Sequence, residues 1–211
     1  MQTHAQAYAR HPRFGMVAAM NPTAEHLRRF QQTWQVPRGY LTLEEFLACE
    51  RLDVISLCSP SPIHGAQAKA ILASPNRPTV LFMEKPVCLL AEELAELAAL
   101  ARTTPVTVLV NHSRRFDPGH REAARVIQSG RLGPLVEGRC AYYGGWLNNG
   151  THLVDTLRLL FPGPIRVVSA ASAGHGRGGD RSLHVSLQVQ GAPVRVEAVD
   201  EARFQLFESD F

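Results

Sequence analysis

The stretch "LFMEKPVCLLAEELAELAALA", residues 81–101, decides the fold class of this chain. It opens on an apolar run without alternation, which predicts a strand covered on both faces of a sheet. That strand must end at Pro86, because proline cannot extend a hydrogen-bonded ladder, and it ends on the opposite charges of Glu84 and Lys85. The leucines and alanines that follow are spaced for an amphipathic helix over about 89–102. A strand followed by a helix is the repeating unit of a parallel sheet.

The same unit recurs throughout residues 1–111. This recurrence predicts an α/β domain built on a parallel sheet with right-handed crossovers. The predicted strands are 14–20, 53–59, 79–84 and 106–111, and the predicted helices are 23–34, 64–73 and 89–102.

The pattern changes in residues 112–211, where strands and helices no longer alternate regularly. Partly alternating apolar residues in the last strands predict a mainly antiparallel, open sheet with one wet face. A second, α+β domain over 112–211 is therefore expected after the first domain over 1–111. Its predicted helices lie in 119–133, where Gly130 stops the helix, and in 149–161. Its predicted strands are 135–144, 166–173, 182–191 and 193–208.

The composition indicates which partners and which cellular location to expect. Charged residues make up 19% of the chain and the formal net charge is +3, so we expect neither nucleic acid nor a membrane as a partner. No segment approaches the roughly 18 consecutive apolar residues of a membrane span, and the N-terminus lacks the apolar core of a secretory signal. The four cysteines form no CxxC pair, which predicts reduced thiols in a cytoplasmic protein, no metal site, and Cys58 in the core.

Polar residues follow three of the predicted strands: Ser59 and Pro60, then Glu84 and Lys85, and finally Asn111 and His112. Because ligands of open α/β sheets lie outside the carboxyl ends of the strands, these residues predict a shared cleft. A simpler alternative exists for each residue. Loops are generally polar, and Lys85 taken alone is better interpreted as the partner of a nearby surface carboxylate.

Four segments carry a resemblance to a known family. They are "DVISLCSPSPIHGAQAKAIL", "VLFMEKP", "NHSRRFDPGHREAARVIQSGRLGPLVEGRCAYYGG" and "NNGTHLVDTLRLLFPG". In this order, with EKP at a strand end and G-x-H-x-x-D downstream, they resemble the glucose–fructose oxidoreductase / inositol dehydrogenase / MocA family. The resemblance implies a Rossmann domain followed by an α/β domain with a large open sheet. It also implies hydride transfer between NAD or NADP and a hydroxyl carbon of a sugar, cyclitol or related compound.

The resemblance also implies roles for individual residues. Lys85 matches the residue that binds the substrate hydroxyl and helps its proton leave, and His152 matches the catalytic histidine. Taken alone, His152 and Asp155 would be an ordinary i,i+3 pair on a helix, and Arg115 is interpreted with equal weight as junction packing or substrate-side polarity. The implied cofactor-binding residues are Asn21, Ser59, Pro60, His64, Glu84 and Lys85, and the implied substrate-binding residues are Asn148, Asp155 and Arg115.

The ends of the chain depart from the family pattern. The opening strand and its G-x-G-x-x-G turn, which holds the pyrophosphate at a helix N-terminus, are missing, and the C-terminal sheet is cut short. We therefore expect an incomplete form, with exposed strand edges and weak dinucleotide binding. Asn21 stands where an acidic residue usually binds the ribose, which makes NADP admissible beside NAD.

Asn148 is a further departure, since many relatives have an aspartate four residues before the histidine. Asparagine cannot act as a base but can hold a sugar hydroxyl, and the pattern suggests a nucleotide-sugar substrate of the UDP type. Two functional hypotheses follow: an oxidoreductase of this family, often a homo-oligomer, or a non-catalytic nucleotide- or sugar-binding regulatory protein on the same scaffold. A metal-dependent lyase is weaker, because His152 and Asp155 alone are not a metal site.

Overall fold

A computed structural model describes residues 3–203 and 205–211. The chain divides into two compact units, Met1–Asn111 and His112–Phe211, and each is described by itself. Among the residues described, no helix has both the length and the apolar character to cross a membrane.

The first unit alternates helices and strands, beginning with a helix. Threonine residues begin two of its helices: the hydroxyl of Thr3 accepts a hydrogen bond from the Gln6 amide, and that of Thr42 accepts one from the Glu45 amide. The elements are α1 (His4–Arg10), β1 (Ala18–Met20), α2 (Ala24–Trp34), β2 (Arg38–Tyr40), α3 (Leu43–Cys49), β3 (Val54–Leu57), α4 (His64–Ala73), β4 (Val80–Met83), α5 (Ala91–Thr103) and β5 (Thr107–Val110).

The strands of the first unit are all parallel but form two separate sheets. One pairs β1 with β2, and the other has the order β3-β4-β5. Among the described residues, no strand pairs with the second edge of β1 or of β3. The predicted parallel sheet is thus confirmed, and among the described residues it is interrupted between β1 and β3, as expected from the sequence.

One face of the β3-β4-β5 sheet carries the core of the first unit. Ile55, Leu57, Leu81 and Met83 are buried there against α4 and α5, which contribute Ala68, Ile71, Leu72 and Leu97. The other face is only half-covered, since the alternate residues of β3 and β4 are partly exposed. The expectation that these strands are covered on both faces was therefore wrong, and so was the core position of Cys58, which is exposed.

The second unit combines two long helices with a five-stranded sheet of order β10-β6-β9-β8-β7. Only β6 and β9 pair in parallel, and the other neighbours are antiparallel, as predicted for most of this sheet. The single strand predicted over 193–208 is two strands, which a turn separates. The elements are α6 (Pro118–Gln128), β6 (Gly138–Tyr142), α7 (Thr151–Leu160), β7 (Ile165–His175), β8 (Arg181–Val189), β9 (Ala192–Ala198) and β10 (Glu208–Asp210).

The core of the second unit lies between α7 and one face of this sheet. Leu153 and Leu157 of α7 pack with Tyr142, Val194 and Val196, all of them almost completely buried. A π-helical turn, Trp146–Gly150, leads directly into α7, so that the helix begins before the position predicted from the sequence. This extension places Asn148 within the first turn.

Candidate functional site

The carboxyl ends of β4 and β5 hold a polar cluster in the first unit. Glu84 directly follows β4, and its Oε1 accepts hydrogen bonds from Asn111 Nδ2 at 2.7 Å and from His4 Nε2 at 2.9 Å. Burial raises the pKa of the Glu84 carboxyl, but the bonds from Asn111 and His4 outweigh that cost and the pKa lies below its ordinary value. Glu84 is therefore an anchored carboxylate.

Helix α1 supplies the third member of this cluster. The ring of His4 stacks on Phe82 with the ring centroids 4.5 Å apart, and its Nδ1 lies 3.2 Å from Ser56 Oγ. Tyr8, one turn later, places its hydroxyl 2.6 Å from the same Ser56 oxygen. Sequence reasoning missed His4 and Tyr8, since neither belongs to a motif and both partners are distant in the chain.

Lys85 is half-buried directly after Glu84, and a cis peptide bond joins it to Pro86. His64, at the start of α4, is 1% exposed and lies between two loops. Its Nδ1 is 2.7 Å from the Pro86 carbonyl oxygen, and its Nε2 is 2.5 Å from the Ser59 carbonyl oxygen. His64 thereby links the loop after β3 to the loop that carries Lys85.

A groove of about 1590 Å³ lies between β1 and β3, and Asn21, Ser59 and Pro60 line its end at the carboxyl termini of these strands. Two buried polar atoms on its lining, Ser59 Oγ and Gln67 Oε1, have no hydrogen-bond partner among the described residues. Both can accept a hydrogen bond from a ribose hydroxyl or an amide, so this part of the site fits a dinucleotide. His64, Glu84 and Lys85 do not line this groove.

Fewer groups in the described part of the first unit could bind the phosphates of a dinucleotide. In the described part of the first unit, the sequence before α1 contains no glycine-rich turn, and α1 begins at His4 behind its Thr3 cap. The residues present therefore fit the nucleoside portion of the cofactor and leave its pyrophosphate without the usual backbone donors. Nor does any group of three His, Cys, Asp or Glu side chains in the described ranges form a metal site.

In the second unit, Asp155 is the centre of a charged cluster on α7. Arg115 donates to both carboxylate oxygens, with Nε at 2.8 and 2.9 Å and Nη2 at 2.8 Å. His112 Nδ1 lies 3.8 Å from the same carboxylate, and the His112 ring is edge-on to the His152 ring at 6.0 Å between centroids. The structure thus brings Arg115, Asp155 and His152 into one cluster and adds His112, which sequence reasoning noted only as a polar strand end.

Asp180 holds the backbone of the π-helical turn that carries Asn148 and precedes α7. The carboxylate of Asp180 accepts hydrogen bonds from the amides of Leu147 at 3.2 Å and Asn148 at 2.8 Å. Gly145 makes this approach possible, because a Cβ there would collide with the Asp180 side chain, and its φ of 90° also favours glycine. Asp180 lies in a polar glycine-rich loop, which the sequence shows without indicating its contact.

Comparison with known proteins identifies the family of the chain. A family model described as an oxidoreductase family with an NAD-binding Rossmann fold matches residues 1–112, more than half of the chain. The chain belongs to this family. The family predicted from the sequence is thereby confirmed, and an oxidoreductase scaffold is favoured over the regulatory alternative.

Relatives within the family include cyclitol dehydrogenases. The scyllo-inositol 2-dehydrogenase (NAD(+)) of Bacillus subtilis (strain 168) is 29% identical over 102 residues, which are 48% of this chain and 28% of that protein. The apo scyllo-inositol dehydrogenase from Lactobacillus casei superposes with a TM-score of 0.80 at 17% identity, over 98% of this chain and 67% of that one. GenD2 from gentamicin A biosynthesis, in complex with NAD, superposes with a TM-score of 0.81 at 20% identity, over 92% of this chain and 61% of that one.

At these identities the structural likeness shows the fold alone. The chain spans 37%, 41% and 25% of the lengths of three other curated relatives that match it. Activity and substrate therefore have to be inferred from the residues of this chain.

Proposed function

We propose that the protein is an NAD(P)-dependent oxidoreductase that transfers hydride between the nicotinamide and a hydroxyl carbon of a sugar, cyclitol or nucleotide sugar. The observation that carries the proposal is half-buried Lys85, fixed at the carboxyl end of β4 between anchored Glu84 and Pro86, in a chain of this family. Cyclitol dehydrogenases among the relatives support the substrate class.

The cofactor-binding role falls to the residues at the carboxyl ends of β1 and β3. Asn21, Ser59 and Pro60 would hold the nucleoside portion, Ser59 through its unpartnered Oγ, with Glu84 and Lys85 beside the nicotinamide. When bound, NAD or NADP accepts or returns the hydride. His64 acts through the two carbonyl oxygens that it contacts, and we assign it the role of positioning Lys85.

Proton transfer falls to Lys85 and His152. In the oxidative direction, Lys85 Nζ binds the substrate hydroxyl and accepts its proton while the hydride leaves the same carbon. A positive charge at Nζ then stabilises the oxygen until the carbonyl forms. For His152 we propose proton exchange with solvent, since imidazole exchanges protons near neutral pH.

The second unit would supply substrate contacts. Asn148 offers its side-chain amide to a sugar hydroxyl, and Arg115 with Asp155 forms a polar wall beside His152. Within this proposal, Arg115 contributes polarity on the substrate side, where it is held by Asp155. The proposal also includes a homo-oligomer, by analogy with the family, and a cytoplasmic location, on the ground of the four dispersed cysteines.

The experiment is a coupled assay of NADH formation with myo-inositol, scyllo-inositol and glucose, at millimolar NAD⁺ so that weak cofactor binding does not hide turnover. Lys85→Ala should lower kcat by about 100-fold. The chain contains only one other lysine, Lys69, which pairs with Glu96 on the surface, so Lys69→Ala is the matched control. Equal turnover in the two variants would refute the role of Lys85, and nucleotide binding without turnover would favour the regulatory protein.

A further inference from the structure

Two neighbouring glycines, Gly144 and Gly145, lie between β6 and the π-helical turn, and a carboxylate side chain covers each of them. Their φ angles are 78° and 90°. The carboxylate over Gly145 is that of Asp180, which accepts hydrogen bonds from backbone amides of the turn. The carboxylate over Gly144 belongs to Glu201, whose Oε2 would lie 3.2 Å from a Cβ added at this glycine. Asp180 therefore supports the backbone, and Glu201 is a second carboxylate with different surroundings.

Side-chain amides lie beside Glu201 over the same glycine. A Cβ added at Gly144 would lie 3.1 Å from Asn149 Nδ2 and 3.6 Å from Asn148 Nδ2. Asn149 Nδ2 donates to the Tyr143 carbonyl oxygen at 2.8 Å, which ties this amide to the backbone. The side chain of Asn148, which is proposed above to bind a substrate hydroxyl, and the carboxylate of Glu201 are thus neighbours over Gly144.

The loop after β9 fixes the position of Glu201. Its first residue, Val199, donates its amide to the Tyr142 carbonyl oxygen at 2.8 Å, so the loop starts beside the carboxyl end of β6. Asp200 then forms a turn, in which its side chain accepts a hydrogen bond from the Ala202 amide at 3.0 Å. Glu201 lies within this turn and is half-buried, whereas Ala202 is exposed. The turn therefore directs the Glu201 side chain towards the polar end of β6.

A carboxylate beside an amide matches the hydrogen bonds of two adjacent hydroxyl groups. An ionised carboxylate only accepts hydrogen bonds, whereas an asparagine side chain both donates and accepts. The hydroxyls of a vicinal diol can donate to Glu201 while one of them accepts from Asn148 Nδ2. Hydrogen bonds to a charged acceptor are the stronger ones. The negative charge of Glu201 also repels a second carboxylate at the same place.

We propose that Glu201 is a further substrate-binding residue, which together with Asn148 binds a vicinal diol of a neutral cyclitol or sugar and discriminates against uronates. Asn148 and His152 are four residues apart across the start of α7, so the bound diol belongs to the ring whose hydroxyl reacts near His152. This role rests on the proposed function, since it narrows the substrate of the same site.

Titration with D-glucose and D-glucuronate tests the role of Glu201 without any turnover. The two sugars differ only at C6, which is a hydroxymethyl group in one and a carboxylate in the other. NMR of the intact chain follows the amides of Gly144 and Asn148. Glucose should bind in the millimolar range, and glucuronate at least about tenfold more weakly because of like-charge repulsion. The compound trans-1,2-cyclohexanediol should compete with glucose, whereas trans-1,4-cyclohexanediol should not.

Glu201→Gln preserves the shape of the side chain and removes its charge. Glucose binding should weaken by about tenfold, because a hydrogen bond to a charged acceptor is lost, and most of the preference for glucose over glucuronate should disappear. Glu137→Gln, at an exposed position before the other end of β6, is the matched control and should leave both affinities unchanged. A purely structural role of Glu201 would lower both affinities by the same factor, and an unchanged ratio would therefore refute substrate binding by Glu201.

The titrations also separate this role from hydride transfer. Equal or tighter binding of glucuronate by the unaltered chain would overturn the role of Glu201, and so would the absence of any shift at Gly144 with either sugar. Neither result would bear on NADH formation by the same chain. Conversely, glucose binding that depends on Glu201 in a chain that forms no NADH would support the role of Glu201 and refute hydride transfer alone.

Discussion

Glu84 shows how one carboxylate can stay ionised at a partly buried strand end. Its neighbours Asn111 and His4 both contact Oε1, and they come from the end of another strand and from α1. Three elements therefore fix the residue that precedes Lys85. The orientation of the proposed catalytic lysine depends on this cluster as well as on its own backbone.

Removal of Asn111 should change the ionisation of Glu84. Asn111→Ala deletes a donor to the charged carboxylate while its burial persists, so the pKa of Glu84 should rise. Carbon-detected NMR titration of the glutamate carboxyl groups measures the shift. Asn21→Ala is the control, because Asn21 also follows a strand but accepts only from the Thr23 amide. An unchanged Glu84 titration in Asn111→Ala would contradict the proposed anchoring.

Glu50 offers a pH-dependent prediction at the same scale. Hydrogen bonds from Arg38, at 2.6 and 2.8 Å, and from the Tyr40 hydroxyl, at 2.6 Å, lower the pKa of its carboxyl despite burial. A carboxyl whose pKa is lowered in the folded state stabilises the fold above its ordinary pKa of 4.5, and this contribution is lost as the pH falls below it.

Glu50→Gln should therefore lower the free energy of unfolding at neutral pH by about 1 kcal/mol, since Arg38 is half-exposed and solvent screens the pair. Urea titrations at neutral and acidic pH measure the difference. The gap between Glu50→Gln and the unaltered chain should narrow below pH 4.5. Glu137→Gln, at an exposed position before β6, should show no such gap, and a gap that persists in acid would show that charge is not its cause.

Individual residues also show which contacts can be predicted from the sequence and which cannot. The EKP tripeptide indicated a polar strand end because proline and paired charges have local meaning. His4, by contrast, contacts Glu84 across 80 positions of sequence, and Asp180 contacts Asn148 across 32. Contacts between distant positions leave no local pattern, so no periodicity could have revealed them.

At the scale of elements, the start of helix α7 is held from outside the helix. The carboxylate of Asp180 accepts from two amides of the π-helical turn, as an N-cap residue would, although it belongs to the loop before β8. The turn carries Asn148 and leads to His152. The glycine-rich loop therefore controls the geometry of two proposed site residues.

Asp180→Ala should destabilise the second unit by about 1 kcal/mol, the usual cost of a lost helix cap. Amide exchange should accelerate at Leu147 and Asn148, while the core amides of β9 keep their order of protection. Asp200→Ala, which removes a comparable side-chain bond to the amide of Ala202 in a turn, serves as the control. Equal exchange at Leu147 in both variants would show that Asp180 does not hold the turn.

Some elements were predictable and others were not, for physical reasons. Helix α4 occurs at 64–73 as predicted, since its pattern is long and Ser74 and Pro75 end it. Strand β2 was missed because three mostly exposed residues have no hydrophobic period. Helix α3 was missed although Thr42 and Glu45 form a capping-box pattern that could have identified it.

At the scale of the whole molecule, the interrupted sheet of the first unit bears on the proposed binding of the cofactor. A parallel sheet normally buries the edges of its central strands, but here β1 and β3 present theirs to a groove. The gap was expected from the sequence, because the residues given do not match the opening strand of the family pattern. The sequence could not predict that α1 packs on β3 and β4 through His4 and Tyr8.

The chain should consequently bind NADH only weakly. The groove offers Ser59 Oγ and Asn21 to the nucleoside portion, but the described residues before α1 supply no glycine-rich turn for the pyrophosphate. The loss of about three charge-assisted hydrogen bonds corresponds to roughly 1000-fold in affinity, which shifts a micromolar dissociation constant to the millimolar range.

Titration with NADH, followed by quenching of Trp34 and Trp146, measures this directly. Ser59→Ala removes the unpartnered hydroxyl and should weaken the remaining binding further, whereas Ser129→Ala, at the end of α6, should leave it unchanged. Micromolar binding by the unaltered chain would show that backbone donors other than a glycine-rich turn hold the phosphates. Equal affinity in the two serine variants would remove Ser59 from the proposed nucleoside site.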